Sequence, residues 1–155
     1  MLWKLRASVG YLVARRLMAA RWAVQQPKLW RWMEGQFSRK ANLGDRAAQS
    51  FYGHMLYFRG HGLGSKQEGV RLLRLAAQAG DAKAAYQLGV ISLSEDASRG
   101  PDGQEAARWW GQAAAAGHPL AAMRLEQLYR AGGYGLTADP EEADRLKALT
   151  VRRGL

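Results

Sequence analysis

A short signal that starts a helix occurs three times in this chain at one fixed interval. Ser65, Asp102 and Asp139 each precede a Glu by three residues and a Gly by fifteen. Successive copies lie 37 residues apart, from 65 to 102 and from 102 to 139. A side-chain oxygen at the N-cap with Glu at the third helical position forms a capping box, and Gly commonly ends a helix. A helix that recurs at this period predicts a stacked array of repeats.

A second alanine-rich stretch precedes each of these helices. The earlier stretches begin after Gly44, Gly80 and Gly117. The two stretches of each unit are joined by glycine-rich or loop-like segments, as tight chain reversals require. These segments are residues 60–64, 94–101 and 132–135. The unit is therefore predicted to be a pair of antiparallel helices, and the three units are residues 44–79, 80–116 and 117–154.

The second helix of each unit carries an apolar stripe at helical spacing. In the first two copies the same five positions, counted from the N-cap, hold apolar or small residues. They are Gly69, Leu72, Leu73, Ala76 and Ala77 in one copy, and Ala106, Trp109, Trp110, Ala113 and Ala114 in the next. This spacing predicts the buried face of an amphipathic helix. In the last copy Lys147 takes the place of Leu73 and Trp110, which predicts an exposed face there.

Residues 1–43 fit the repeat only by phase. A further helix of the second type is predicted over 29–43, with Met33, Phe37 and Ala41 on its stripe. Ahead of it, residues 2–22 are predicted to form one longer helix with an apolar face. That face holds Leu2, Leu5, Val9, Leu12, Val13 and Ala20. We expect this divergent pair, residues 1–43, to cover the edge of the repeats in 44–155 as a cap.

Charge is concentrated at the N-terminus. Residues 1–43 hold nine Lys or Arg against the single Glu34, in a chain whose formal net charge is +10. The same segment contains four of the six Trp. The absence of cysteine excludes disulfides and thiolate chemistry, and favours the cytoplasm over the periplasm. No stretch approaches the roughly 20 apolar residues that cross a bilayer, so any membrane association is predicted to be peripheral.

No set of residues predicts an active site. Asp139, Glu141, Glu142 and Asp144 resemble an acid/base cluster, but they occupy a first helical turn, where capping and the helix dipole favour carboxylates. His54, His61 and His118 lack the spacing of metal ligands. The glycines of segment 60–64 lack the Gly-Lys-Ser/Thr ending of a phosphate-binding loop. We therefore expect no catalytic residues, metal, cofactor or small-molecule substrate, and no enzymatic activity.

The repeat units resemble a known family, the Sel1-like repeats, which are related to tetratricopeptide repeats. The likeness depends on the segments 84–89 (AAYQLG) and 57–63 (YFRGHGL), and on Asp102, Trp109 and Trp110 ahead of Gly117. It covers residues 44–154. The resemblance implies an all-α fold, a right-handed α/α superhelical solenoid of helix–turn–helix repeats, that acts as a scaffold or adaptor for other proteins. Some secreted relatives carry a disulfide in each unit, which this chain lacks.

Two hypotheses of function follow. In the first, the chain is a non-catalytic scaffold that binds another protein across the exposed side of its first-type helices. The candidate contact residues are His54, Tyr57, Gln87, Arg124 and Gln127. In the second, the basic, Trp-rich N-terminal helices bind an anionic membrane surface or another polyanion. The candidate residues there are Lys4, Arg15, Arg16, Arg21 and Arg31. Nucleic acid is a disfavoured partner because the sequence contains no recognised nucleic-acid module.

Overall fold

The computed structural model describes residues 2–60, 62–95 and 100–154. Within them the chain forms nine α-helices, one isolated bridge between Gly133 and Leu136, and no strand. The helices are α1 (Leu2–Leu17), α2 (Arg21–Val24), α3 (Pro27–Asn42), α4 (Arg46–Arg59), α5 (Gly62–Gln78), α6 (Ala82–Ser92), α7 (Gly103–Ala115), α8 (Pro119–Ala131) and α9 (Pro140–Arg153). None of these helices is long and apolar enough to cross a bilayer. The predicted all-α class and the alternation of helices are confirmed.

Side-chain caps and left-handed glycines set the helix ends in the way the repeat predicts. Asp102 accepts a hydrogen bond from the backbone N–H of Glu105 at 2.9 Å, and Asp139 accepts one from that of Glu142 at 3.0 Å. Each second-type helix is followed by a glycine with positive φ. These glycines are Gly44 (81°), Gly80 (88°), Gly117 (86°) and Gly154 (68°). A side chain is strained at such φ values, so glycine is the residue that turns the chain there.

Ser65 is not an N-cap, and this part of the predicted capping pattern was wrong. Helix α5 begins at Gly62, so Ser65 lies inside its first turn. The predicted connecting loop over 60–64 is correspondingly shorter, and His61 within it lies outside the described residues. Gly62, the first residue of α5, has a φ of 83°, a value that favours glycine. The loop predicted over 94–101 also lies partly outside the described residues.

Loss of the Asp102 cap should cost a modest, measurable amount of stability. We expect Asp102→Ala to lower the free energy of unfolding by about 1 kcal/mol, because the N–H of Glu105 loses its acceptor. Asp102→Asn is the matched control and should change it by only a few tenths, since an amide oxygen also caps. Urea denaturation followed by circular dichroism measures both. Equal stability of the Ala and Asn variants would show that the cap contributes nothing.

Contacts divide the chain into two compact units, residues 1–72 and 73–155, and the division falls inside α5. The repeat boundaries proposed from the sequence stay a prediction. In the first unit α3 packs against α1, α2 and α4 around Phe37, which is fully buried. The rings of Tyr11 and Phe51 meet Phe37 edge-on, with centroids 5.9 and 5.1 Å away. The predicted α3 stripe is confirmed, since Met33 and Ala41 are buried with Phe37.

The N-terminal helix was predicted with the wrong length and the wrong buried face. It ends at Leu17, and the short α2 follows as a separate helix. Its buried residues are Ala7, Tyr11 and Ala14. The larger aliphatic side chains that were expected to pack inside are exposed instead, namely Leu2, Leu5, Val9, Leu12 and Val13. The physical reason is close approach: Gly10 has no Cβ, and one added there would meet the side chain of Gln36 on α3.

In the second unit, α6 packs on α7, α7 on α8, and α8 on α9. Gly89 of α6 lies directly beneath the indole of Trp110, where an added Cβ would meet the ring. The Trp110 indole N–H donates to the carbonyl of Tyr86 at 3.2 Å. The predicted α7 stripe is confirmed at four of its five positions, since Ala106, Trp109, Trp110 and Ala113 are buried and Ala114 is half-buried. Lys147 on α9 is exposed, as its place in the stripe predicted.

Candidate partner-binding surface

The first-type helices α6 and α8 bury one side and expose the other. Their buried sides are built from small and aliphatic residues that face the second-type helices. These include Ala84, Ala85 and Leu88 on α6, and Ala121, Ala122 and Leu125 on α8. The opposite side, here called the α6–α8 face, consists of Lys83, Tyr86, Gln87, Val90, Leu120, Met123, Arg124 and Gln127, all exposed or half-buried. Because the helices occupy equivalent places in consecutive repeats, these residues line up in register.

A stacked ring pair joins the two helices of the α6–α8 face. The ring of Tyr86 lies parallel to that of His118, with an interplanar angle of 11° and centroids 4.6 Å apart. His118 also caps α8, since its Nδ1 accepts a hydrogen bond from the N–H of Ala121 at 3.3 Å. This cap requires an unprotonated Nδ1. Burial, and secondarily the positive charge of Lys83, lower the pKa of His118, so the imidazole is held in its neutral form.

This histidine cap should make the stability of the fold depend on pH. Because the pKa of His118 is lowered on folding, its stabilisation is fully present above the unfolded value of about 6.5 and is lost as the pH falls through the folded pKa. We expect acidification across that window to lower the urea midpoint of the wild type more than that of His118→Asn, whose amide caps without titrating. Urea denaturation of both proteins, once above about pH 6.5 and once well below it, measures this difference in the midpoints. Identical pH dependence would contradict the assignment.

The α6–α8 face combines apolar and cationic side chains. Leu120 and Met123 are 49% and 44% exposed, whereas Leu88, Leu125 and Leu128 of the same two helices are buried. Lys83 and Arg124 add two positive charges, and within the described part of the chain neither forms an ion pair. None of the eight residues of the face is acidic. Glu126, the acidic residue of α8, forms an ion pair with Arg130 instead, with 2.7 Å between Oε1 and Nη2. Such a surface is chemically suited to a segment with both acidic and apolar side chains.

The predicted contact residues are divided between the two units. Gln87, Arg124 and Gln127 lie on the α6–α8 face, with Gln87 half-buried. His54 is exposed on α4 in the first unit, with its ring 4.7 Å from that of Phe58. The expectation of surface exposure was wrong for Tyr57, which is only 8% exposed. The binding roles of these residues stay predictions.

Tyr57 is buried because α5 approaches α4 closely. Gly69 of α5 lies against the backbone of Gly53 and Tyr57, and an added Cβ there would meet both. The Nζ of Lys66 lies 5.9 Å from the Tyr57 ring. The apolar and polar pattern of α4 alone does not reveal this contact, because it depends on a glycine of the neighbouring helix.

Sequence reasoning missed five residues of the α6–α8 face: Lys83, Tyr86, Val90, Leu120 and Met123. The signal was available in the repeat itself. Counting from Gly80 and Gly117 pairs Lys83 with Leu120 and Tyr86 with Met123, at positions where both copies depart from alanine. The candidate contact residues were chosen mainly for their polarity, so the exposed apolar residues of the face were not included.

A crevice of about 310 Å³ lies elsewhere in the second unit, between α7, α8 and α9. It is lined by small residues of α7, by Leu125 and Tyr129 of α8, and by Leu146 and Leu149 of α9. Glu142 and Arg153 also line it. Across the described ranges no three His, Asp or Glu side chains converge as metal ligands would. The crevice offers shape and a largely apolar lining.

The five basic residues predicted for polyanion binding are all exposed: Lys4, Arg15, Arg16, Arg21 and Arg31. One of them already has a packing role. The guanidinium of Arg15 lies over the ring of Phe51 at 4.8 Å and near that of Tyr11 at 6.0 Å. The others stand on the surface of the first unit, and their binding role stays a prediction.

Paired antiparallel helices at a fixed period, capped by Asp or His and closed by left-handed glycines, define an all-α helical-repeat protein. Two solved structures share this fold. A Sel1 repeat protein from Oxalobacter formigenes is 27% identical over 80% of this chain and 35% of its own, with a TM-score of 0.70. A protective antigen of uropathogenic Escherichia coli with an SLR fold is 24% identical over 79% of this chain and 26% of its own, with a TM-score of 0.65.

Over about 80% of its length the chain is similar to these Sel1-like repeat proteins and shares their fold. It spans only about a third of the length of the Oxalobacter protein and about a quarter of the antigen. No protein-family model matches the sequence, and no curated protein matches it either. The similarity to Sel1-like repeat proteins therefore follows from the fold and from the repeat residues together.

Proposed function

We propose that this chain is a non-catalytic scaffold that binds a protein partner, and that the α6–α8 face takes up an acidic, partly apolar segment of that partner. The observation that carries the proposal is the exposure of Leu120 and Met123 beside the cations Lys83 and Arg124. Exposed aliphatic side chains that are grouped, rather than scattered, commonly mark interaction surfaces.

The charge of the face supports an acidic segment over a basic one. Lys83 and Arg124 have no carboxylate partner within the described residues, so an incoming Asp or Glu gains attraction without displacing an existing ion pair. The packing of both helices on α7 supports the proposal further, since a preformed surface binds at a lower entropic cost. Tyr86 adds a flat ring, fixed by its stack on His118, beside these groups.

A peptide selection tests the proposal while the partner itself is unidentified. A displayed library of random peptides is selected on the immobilised full chain, and the affinities of selected peptides are measured in solution. We expect enriched peptides to combine Asp or Glu with large apolar residues. Leu120→Gln/Met123→Gln should weaken their binding about tenfold or more, because apolar contact area is lost.

Two controls separate the α6–α8 face from other surfaces. Leu149→Gln removes a similar side chain from the lining of the crevice and should leave the affinity unchanged. Circular dichroism checks that the variants keep their helices. Peptides that lack acidic residues, or that bind the double variant as tightly as the wild type, would overturn the proposal. Sensitivity to Leu149→Gln alone would instead place binding in the crevice.

A further inference from the structure

The face of α1 that points away from α3 is a continuous apolar strip. Leu2, Leu5, Val9, Leu12 and Val13 recur at helical spacing and are between 45% and 79% exposed. The strip extends over about 16 Å of helix, at a rise of about 1.5 Å per residue. A surface helix normally turns its large aliphatic residues inward. In α1 the buried side consists of Ala7, Tyr11 and Ala14. The apolar strip therefore stays exposed and can contact a partner outside the unit.

The surroundings of this α1 strip are positively charged. Before Glu34 the sequence contains seven Lys or Arg and no acidic residue. At about 100° per residue, Arg6 falls at one edge of the strip, and Arg16 continues it at its C-terminal end. Two indole rings of the first unit are also exposed, those of Trp3 on α1 (55%) and Trp22 on α2 (63%). Helices with an apolar face, basic flanks and Trp are those that lie in a membrane interface, where Trp occupies the headgroup level.

We propose that α1 docks the chain on an anionic membrane surface, with its apolar strip inserted at the boundary between headgroups and acyl chains. Charge favours a membrane over a second copy of this chain as the occupant of the strip. Two copies joined strip to strip would bring Arg6 and Arg16 of each against those of the other, with no carboxylate of α1 to offset them. A layer of anionic headgroups neutralises the same cations while the acyl chains cover the leucines.

This surface is separate from the α6–α8 face, and the two belong to different units. The membrane proposal therefore does not depend on the proposed function. A chain that binds lipid through the first unit and a peptide through the second would bring that peptide to the membrane. The two activities are distinguishable because their variants affect different residues.

Vesicle co-sedimentation with the full chain tests the proposal. The probes are phosphatidylcholine vesicles with and without phosphatidylserine. We expect the wild type to bind the mixed vesicles and to bind pure phosphatidylcholine far more weakly. Leu5→Gln/Val9→Gln/Leu12→Gln should reduce binding to mixed vesicles tenfold or more, and Arg6→Gln/Arg16→Gln should reduce it about fivefold per cation removed. All these side chains are exposed, so the fold should persist.

Matched controls come from the second unit. Leu120→Gln/Met123→Gln removes comparably exposed apolar groups, and Arg152→Gln/Arg153→Gln removes comparably exposed cations. Both should bind vesicles like the wild type. The proposal is overturned if the wild type does not bind the mixed vesicles, or if the triple variant binds them as tightly as the wild type does. It is equally overturned if the strip instead mediates self-association, seen as a dimer in size-exclusion chromatography that the triple variant abolishes.

Discussion

Trp110→Ala should lower the free energy of unfolding by about 3 to 5 kcal/mol, the cost typical of truncating a large buried aromatic residue. Trp110 is only 4% exposed, and its ring fills the space above Gly89. Two losses combine in the variant. A cavity opens between α6 and α7, and the carbonyl of Tyr86 loses the indole N–H that donates to it at 3.2 Å.

Trp22→Ala is the matched control for this change. It deletes the same atoms from a ring that is 63% exposed, so the expected change is within about 0.5 kcal/mol. Urea denaturation with circular dichroism as the signal measures both variants. If the two substitutions proved equally mild, the packing of α7 against α6 would be wrong, and with it the repeat register that places Trp110 inside.

Phe37→Ala should produce a loss of similar size in the first unit, about 3 to 5 kcal/mol. Phe37 has no exposed surface and packs against Tyr11 of α1, Phe51 of α4 and Tyr52 of α4, with the Tyr52 centroid at 6.5 Å. Edge-on aromatic pairs add roughly 0.5 to 1.5 kcal/mol each beyond the burial of area, which favours the upper part of the range. Its removal leaves a cavity where three helices meet.

Trp32→Ala tests the same helix from its outer side. Trp32 lies on α3 with 42% of its surface exposed, and we expect its loss to cost far less than that of Phe37. Thermal and urea unfolding of both variants would make the comparison. A Trp32 variant as unstable as the Phe37 variant would mean that α3 is rotated about its axis relative to α1 and α4.

Repetition explains why much of the second unit could be predicted from the sequence. Asp102, Asp139 and the glycines at 80, 117 and 154 act through their own backbone neighbours, so a local pattern suffices to identify them. The stripe of α7 was predictable for a similar reason. Its large residues recur at the positions that face adjacent helices in both copies.

The structural features that could not be predicted from the sequence depend on contacts between helices. The buried face of α1 follows from Gly10 beneath Gln36, a pairing that no local period encodes. The burial of Tyr57 likewise depends on Gly69 of another helix. In both cases a glycine allows close approach and so determines which larger residues are left outside. The exposure of Leu120 and Met123 was not predicted because residues of these types are usually buried, although the repeat register pairs them with Lys83 and Tyr86.

The central claim is that the α6–α8 face recognises an acidic segment, and charge reversal tests it most directly. The measurement is the affinity of one selected acidic peptide for the wild type and for Lys83→Glu/Arg124→Glu. The two reversed charges should weaken binding by roughly tenfold or more at low salt and reduce its salt dependence. The same affinity for both chains, at every salt concentration, would contradict the claim.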